Sequence, residues 1–406
     1  MLNQFSFTKA HIILICGIIV GVFSYAAINS ICTGLLVVNW IAAGDLKAKF
    51  KKLKESKIFW VLISLFLLHL LGLLYTSNFE YALKDLKIKL PIFFLPIVFI
   101  ASPSLSVKEF RSILKVLLIT ALLSSIYGLY YYLRYFQVTF FELREMSQFI
   151  SHIRLSLLNT IAAFAAFYLL AKNNWRKLSY TNLYYLMAGI WLFIFNGIMG
   201  ARMGLVVFFI LLLLGSIFLV IRHKKIWLAA VLLGLMIALP ILSYLTLPSI
   251  KMRTHEVVYE LQSYQLNQDP NGKSIAQRFV YWNIAWDIFK TAPLIGIGTG
   301  DVADAFNSYY LTHPNLLQQQ YQHRAHNQWL TILLTFGVLG LLLFMLVVFY
   351  PLFYKRKYLD YFYIVFFIAF SLSMLTEDTL ETQVGVTFYA LFNCLFLFAK
   401  PEEYLD

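Results

Sequence analysis

The chain of 406 residues is 60% hydrophobic and 17% aromatic but only 13% charged, more apolar surface than a water-soluble interior could hide, so the bilayer must be its solvent. Its 33 Lys and Arg against 20 Asp and Glu give a formal charge of +13, which on a soluble chain would suggest nucleic acid; here the basic residues lie mostly in short stretches between apolar runs, so position outweighs sum and no nucleic-acid partner is expected. Cys16, Cys32 and Cys394 all fall inside apolar segments, which excludes a disulfide framework or a cysteine-type metal spacing on a loop.

A membrane crossing needs about 20 apolar residues, and by that ruler the chain offers roughly twelve candidates. They lie near 11–27, 29–44, 57–76, 86–102, 111–134, 153–171, 183–200, 203–221, 225–247, 327–352, 358–375 and 382–399. The pattern predicts an all-α, polytopic helical membrane protein with a single integral membrane domain over 1–406. The first run has no small-residue cleavage site and many spans follow it, so it reads as a retained helix and not a signal peptide. Residues 11–44 form one long apolar stretch, split here at Ala27-Ile28-Asn29-Ser30 into a tight hairpin.

Orientation follows from the basic loops. Lys47, Lys49, Lys51, Lys52, Lys54 and Lys57, then Arg176 and Lys177, then Arg222, Lys224 and Lys225, then Lys355, Arg356 and Lys357 all fall on one side, which the positive-inside bias assigns to the cytoplasm. Both termini then face inward, and the acidic turn at Glu377, Asp378 and Glu381 faces outward. Lys84, Lys87 and Lys89 break the bias on the outer side; they are either noise in a weak rule or a basic rim for an anionic ligand.

Residues 248–325 are mostly polar and are expected to form one large extracytoplasmic loop between the ninth and tenth spans, too long to lack structure without a functional reason. Ser274 and Gln277 have capping-box spacing, and Phe279, Trp282, Ile284, Trp286 and Phe289 supply the apolar surface of a following helix. Pro293 should end that helix, GIGTGD should turn the chain, and Asp301 should cap a second short helix through Ala305 and Tyr309. The GIGTG string is no dinucleotide fingerprint, because no strand precedes it and its spacing is incomplete. Its glycines are expected to permit a tight turn beside a packed helix.

The candidate chemistry lies on the outer side. Arg202 sits in NGIMGARMGL at a hinge between two spans, where Gly197, Gly200 and Gly204 allow close approach; without a task it would snorkel to headgroup phosphates. Arg278 lies one turn into the amphipathic loop helix, with Asp287 or a lipid headgroup as its plain structural partner. His326 opens the span AHNQWLTILLTFGVLGLLLF, where the positive end of a helix disfavours the imidazolium and keeps a ring that can accept a proton. His313, His323 and Arg324 stand nearby with roles that the sequence does not separate. His69, alone among apolar neighbours, reads as a packed or hydrogen-bonded residue. Two outward arginines and a neutral histidine suit a site that grips a diphosphate and deprotonates a hydroxyl. A lipid-linked sugar fits, since its diphosphate is already a leaving group and needs neither ATP nor a metal if arginines stabilise the departing charge. A transporter or a lipid-binding scaffold are the readings from other classes.

At these residues the chain resembles the O-antigen ligase and polymerase superfamily over roughly 150–399. GARMGL is similar to the family's arginine-bearing hinge, although Ala201 and Met203 depart from its commoner small residues. The stretch from Arg278 through Trp282 and Trp286 to PLIGIGTGD resembles its arginine-led helix and glycine-rich turn. AHNQWLTILLTFGVLGLLLF, with His326, Asn327, Gly337 and Gly340, is the closest match, and TEDTLETQVG is a weaker echo. The resemblance implies a GT-C-like architecture and metal-independent, inverting transfer of a glycan from undecaprenyl diphosphate at the periplasmic face of the bacterial inner membrane, with no cofactor. It implies that Arg202 and Arg278 bind the diphosphate, with Arg324 a further substrate-binding candidate, that His326 deprotonates the acceptor hydroxyl, and that Asn327 orients it. Lipid A-core, a growing glycan on its carrier, or a protein are the acceptors the family offers, and membrane lipids surround the whole.

Overall fold

The computed structural model describes residues 4–135, 143, 145–173, 179–224, 226–246, 248–266 and 268–399. Among them every regular element is helical. In chain order they are α1 (Gln4–Phe23), α2 (Ala26–Ala42), α3 (Leu46–Glu55), α4 (Lys57–Leu71), α5 (Phe79–Ala101), α6 (Val107–Tyr135), α7 (His152–Lys172), α8 (Tyr180–Ile198), α9 (Arg202–His223) and α10 (Ile226–Thr246). The polar stretch supplies α11 (Pro248–Gln265), α12 (Ser274–Thr291) and α13 (Val302–Thr312), and α14 (Gln328–Phe353), α15 (Tyr361–Ser373) and α16 (Gln383–Cys394) follow.

All twelve apolar segments form helices, but a count of twelve crossings exceeds what length and composition support. Among the described residues six helices are long and apolar enough to cross a bilayer, or seven if α2 and α3, bent by 111°, make one span. The shortfall has two causes: α1, α9, α15 and α16 offer shorter apolar stretches, and α5 carries Lys84, Asp85, Lys87 and Lys89 in its first half. The N-terminal hairpin breaks at Ser24 and Tyr25, a few residues before the expected split. Of the charges behind the orientation, Arg176, Lys177 and Lys225 lie outside the described residues, as do the chain ends.

The bundle centres on α7, where every residue from Leu155 to Ala166 is buried, Ser156, Asn159 and Thr160 among them. It packs against α6, α8, α9 and α15. Polar links sit inside this packing: Asn159 Nδ2 donates to Asn196 Oδ1 at 3.2 Å, and Asn196 Nδ2 to the Ser156 carbonyl at 3.1 Å. Each satisfies a group that would be costly to leave unpaired away from water.

The polar stretch folds onto the bundle. Tyr281, Ile284 and Ile288 of α12, Phe306 and Tyr310 of α13, and Leu334 of α14 share a second, smaller apolar core. The caps differ from those expected. Ser274 makes no capping box; instead Glu260 of α11 accepts the Ile275 N–H at 2.5 Å, one helix capping the next. Asp301 does not cap α13 with its side chain. Its carboxylate accepts the N–H groups of Ser77 and Asn78 at 2.7–3.1 Å, tying the turn before α5 to the glycine-rich segment.

That segment completes a broken helix. Gly337 of α14 has φ 66° and ψ −166°, a combination open essentially to glycine alone. The break frees backbone groups, and the chain from Pro293 to Gly298 takes them up. Ile297 and Gly298 donate to the Leu334 and Thr335 carbonyls at 3.0 Å, while Val338 donates to Pro293 at 2.9 Å and Leu339 to Leu294 at 3.3 Å. The expected tight turn beside a packed helix is present, and it mends the backbone of a long apolar helix where lipid could not.

Candidate active site

The site forms where α14 begins, and its hub is the turn between α15 and α16. Asn327 is the N-cap of α14, its Oδ1 accepting the N–H groups of Trp329 and Leu330 at 3.0 and 3.2 Å. Asp378 adds a second cap from the acidic turn. Its carboxylate accepts the N–H groups of His326 and Asn327 at 3.2 and 3.1 Å and the Thr331 hydroxyl at 2.7 Å. Gln328 locks the same turn, donating to Glu381 at 3.2 Å and accepting the Leu380 N–H at 2.7 Å. Clamped this way, His326 adopts φ +46°, uncommon for a residue with a β-carbon.

Cations reach this hub from three helices. Arg278, from α12, lies 3.6 Å from Glu377. Arg154, in the first turn of α7, acts electrostatically on the same Glu377. Arg324, just before α14, donates to the Tyr81 hydroxyl at 3.2 Å and lies 3.9 Å from Glu381. Glu381 also pairs at 3.1 Å with Lys89, which is fully buried and 2.5 Å from Asp85. Lys89 is therefore neither noise nor an exposed rim, and Lys84 simply pairs with Glu80 at the surface.

The His326 ring packs 5.8 Å from Tyr281 and 5.6 Å from His323. Burial lowers its pKa below that of ordinary histidine; Asp378 opposes the shift, and Arg278, His323 and Arg324 reinforce it. The direction of this shift favours the neutral ring expected from the sequence, with desolvation as its leading cause. Burial raises Glu377 above the usual carboxylate range against the pull of Arg278 and Arg154. For Glu381 burial also pushes upward, but Lys89 and Arg324 outweigh it and hold the group at about 2. Arg324 stays charged despite burial because Glu381 and Asp378 face it.

Arg278, Arg324 and His326 thus meet around one acidic turn. The plain partner considered for Arg278, Asp287, is engaged elsewhere with Lys290 and the Tyr309 hydroxyl at 2.7 and 2.9 Å. Arg202 is held by a different carboxylate, outside this turn. It opens α9 beside the Schellman-like end of α8, where Ala201 donates to the Asn196 carbonyl at 3.1 Å. Its guanidinium lies 3.3 Å from Glu256 of α11. Glu260, one turn further along α11, is the residue that caps α12 and so carries Arg278. The histidines separate cleanly: His323 touches His326, whereas His313 is exposed and stacks on Tyr309 at 4.4 Å. His69 is packed as expected, bonded at 2.7 Å to the Leu65 carbonyl and edge-on to Phe336. Sequence reasoning gave no role to Arg154, Glu377, Asp378 or Glu381. Three carboxylates within five positions, in a chain with only 20 acids among 406 residues, was the signal available.

Residues 187–345 match a family model described as O-antigen ligase. Over that segment the chain is similar to the O-antigen ligase family. The matched segment contains Arg202, Arg278, Arg324 and His326 and stops short of the acidic turn that holds the last three. No curated protein matches the chain.

Proposed function

We propose that this membrane protein is an O-antigen ligase-type glycosyltransferase that moves a glycan from undecaprenyl diphosphate to lipid A-core at the periplasmic face of the inner membrane, with inversion and without a metal. The observation that carries the reading is His326, kept neutral by burial and aligned by Asp378 within a cluster that includes Arg278 and Arg324. In this reading the acceptor oxygen attacks the anomeric carbon as its proton passes to His326, and the bond from that carbon to the diphosphate oxygen breaks. One displacement inverts the centre. The leaving diphosphate gains charge as it departs, and Arg202 and Arg278 stabilise it; removal of one such contact typically lowers rates 10²–10³-fold. Each of these two arginines has a carboxylate neighbour, Glu256 at 3.3 Å and Glu377 at 3.6 Å. Those carboxylates hold the guanidinium groups in the water-poor site until phosphate oxygens replace them. Arg324 lines the same cluster and is assigned to the substrate, while Asn327 serves through the cap that fixes His326.

The test is glycan transfer in vesicles containing the purified protein and lipid-diphosphate-linked oligosaccharide, with lipid A-core or carrier-linked glycan as acceptor, with and without EDTA. Transfer to lipid A-core that survives EDTA and disappears in His326→Ala supports the proposal. Chain lengthening on the carrier would make the protein a polymerase instead. Absence of transfer to lipid A-core, carrier-linked glycan or a protein acceptor would favour a transporter, for which the buried Lys89–Asp85 pair would be the place to look.

A further inference from the structure

Helices α7, α8, α9, α10 and α15 line a cavity of about 2400 Å³ that runs from Lys172 and Lys355 at one end to Gly197, Leu205 and Thr246 at the other. Its walls are apolar, with Phe167, Phe193, Leu212 and Leu235 among them, and its mouth at one end is basic: Lys52, Lys172, Lys355, Arg356 and Lys357. These five residues come from three separate parts of the chain, namely α3, the last turn of α7 and the connection between α14 and α15. Lys172 lies eighteen residues beyond Arg154 on α7, roughly 27 Å at 1.5 Å per residue. The basic mouth and the charged cluster therefore stand about one hydrocarbon thickness apart, at opposite membrane interfaces.

A positive-inside bias explains why basic residues occur at this level, but not why three segments converge on the rim of one apolar cavity. Within the rim, Lys357 is held by Asp360 at 3.3 Å and by the Phe396 carbonyl at 2.7 Å, and Lys52 donates to the Ser102 carbonyl at 3.3 Å. Lys355 and Arg356 are exposed, on successive left-handed backbone positions with φ +47° and +56°. Non-glycine residues keep that conformation only where their surroundings over-determine it. Apolar walls for acyl chains and cations at headgroup depth define an amphiphile with a negative head. The proposed diphosphate grip lies at the opposite interface, so a head held by Lys355, Arg356 and Lys172 belongs to a different lipid from the glycan donor.

We infer that this cavity is a binding site for an anionic phospholipid, with acyl chains between α7, α9 and α10 and the phosphate on Lys355, Arg356 and Lys172. The inference concerns binding alone and stands independently of the transfer reaction. Native mass spectrometry of the full-length protein in detergent, titrated with phosphatidylglycerol and phosphatidylcholine of identical chains, tests it. The wild type should bind phosphatidylglycerol roughly tenfold tighter or more. Lys355→Asn with Arg356→Asn keeps residues that tolerate the left-handed backbone and should remove that preference while leaving phosphatidylcholine binding unchanged. Gly215 lines the cavity and an added β-carbon there meets nothing within 4 Å, so Gly215→Phe should fill the space and weaken both lipids. Equal binding of the two lipids to the wild type, or a preference that survives the double variant, overturns the inference. So does undecaprenyl phosphate outcompeting phosphatidylglycerol in the same titration, which would make the cavity a carrier site.

Discussion

His326 owes its position and its protonation state to different neighbours. Position comes from Asp378, which accepts the His326 and Asn327 N–H groups; the neutral ring comes from burial, which Asp378 partly opposes. The two roles can be separated by a pH profile. A base must be unprotonated, so transfer should persist above the His326 pKa and fall below it. Because that pKa is lowered, the acid limb should lie below the 6.5 of free histidine. Asp378→Asn removes the charge that supports the imidazolium, which lowers the pKa further and moves the limb to lower pH. It also weakens the clamp on the backbone, so the plateau rate should fall. Arg278→Gln should move the limb the other way, although the rate drops for a second reason, loss of a phosphate contact. Identical limbs in wild type and Asp378→Asn would remove His326 from the role of base.

Glu381 makes a matching case for stability. It holds Lys89, which has no exposed surface, together with Asp85. Removal of one partner from a buried ion pair leaves an uncompensated charge, at about 3–5 kcal/mol. Glu381→Gln should therefore lower the melting temperature in detergent sharply, and a shift within error would mean that Asp85 alone suffices. The pH sign agrees. Glu381 lies at about 2 when folded against 4.5 for a free glutamate, so its contribution is complete above 4.5 and is lost as pH falls toward 2. Little of this residue-scale detail was legible. Arg202, Arg278, Arg324 and His326 stand out because cations on polar turns of an apolar chain are conspicuous, whereas Asp378 and Lys89 matter through contacts made 51 and 292 residues away, Asp378 to Asn327 and Lys89 to Glu381.

At the scale of elements, apolar runs were readable because each apolar segment satisfies its own backbone as a helix. The break in α14 was not. TILLTFGVLGLLLF reads as one uninterrupted helix, and only the segment from Pro293 to Gly298, far back in the chain, makes the break tolerable. The same reason hid the true caps of α12 and α13, whose partners lie in other elements. Gly337 offers a direct test. A β-carbon there would come within 2.3 Å of the Leu294 carbonyl group, on a backbone that L residues rarely adopt. Gly337→Ala should cost at least ~2 kcal/mol. It should also reduce transfer, because the segment it displaces follows directly from α12 and its Arg278. Gly215→Ala, in open space within α9, should be neutral or slightly stabilising. Equal melting temperatures for Gly337→Ala and wild type would mean that the break is not fixed by its partner segment.

For the whole molecule the helix directions carry the argument. Helix α7 begins at the charged cluster and ends at Lys172, and α14 begins beside His326 and ends just before Lys355. Both therefore run from the candidate active site to the basic end, and whichever interface holds the basic end, the site faces the other. We propose from the positive-inside bias that the basic end is cytoplasmic and the site periplasmic, where a flipped lipid-linked glycan would meet its acceptor. Only three native cysteines need replacing, at 16, 32 and 394, so the topology can be read with single cysteines. Gln319→Cys near the site and Tyr358→Cys near the basic end are both exposed in the fold. A membrane-impermeant maleimide applied to spheroplasts, whose outer membrane has been opened, should label Gln319→Cys at once and Tyr358→Cys only after the inner membrane is permeabilised. The reverse order would place His326 in the cytoplasm and end the case for transfer at the periplasmic face, even with every contact of the site intact.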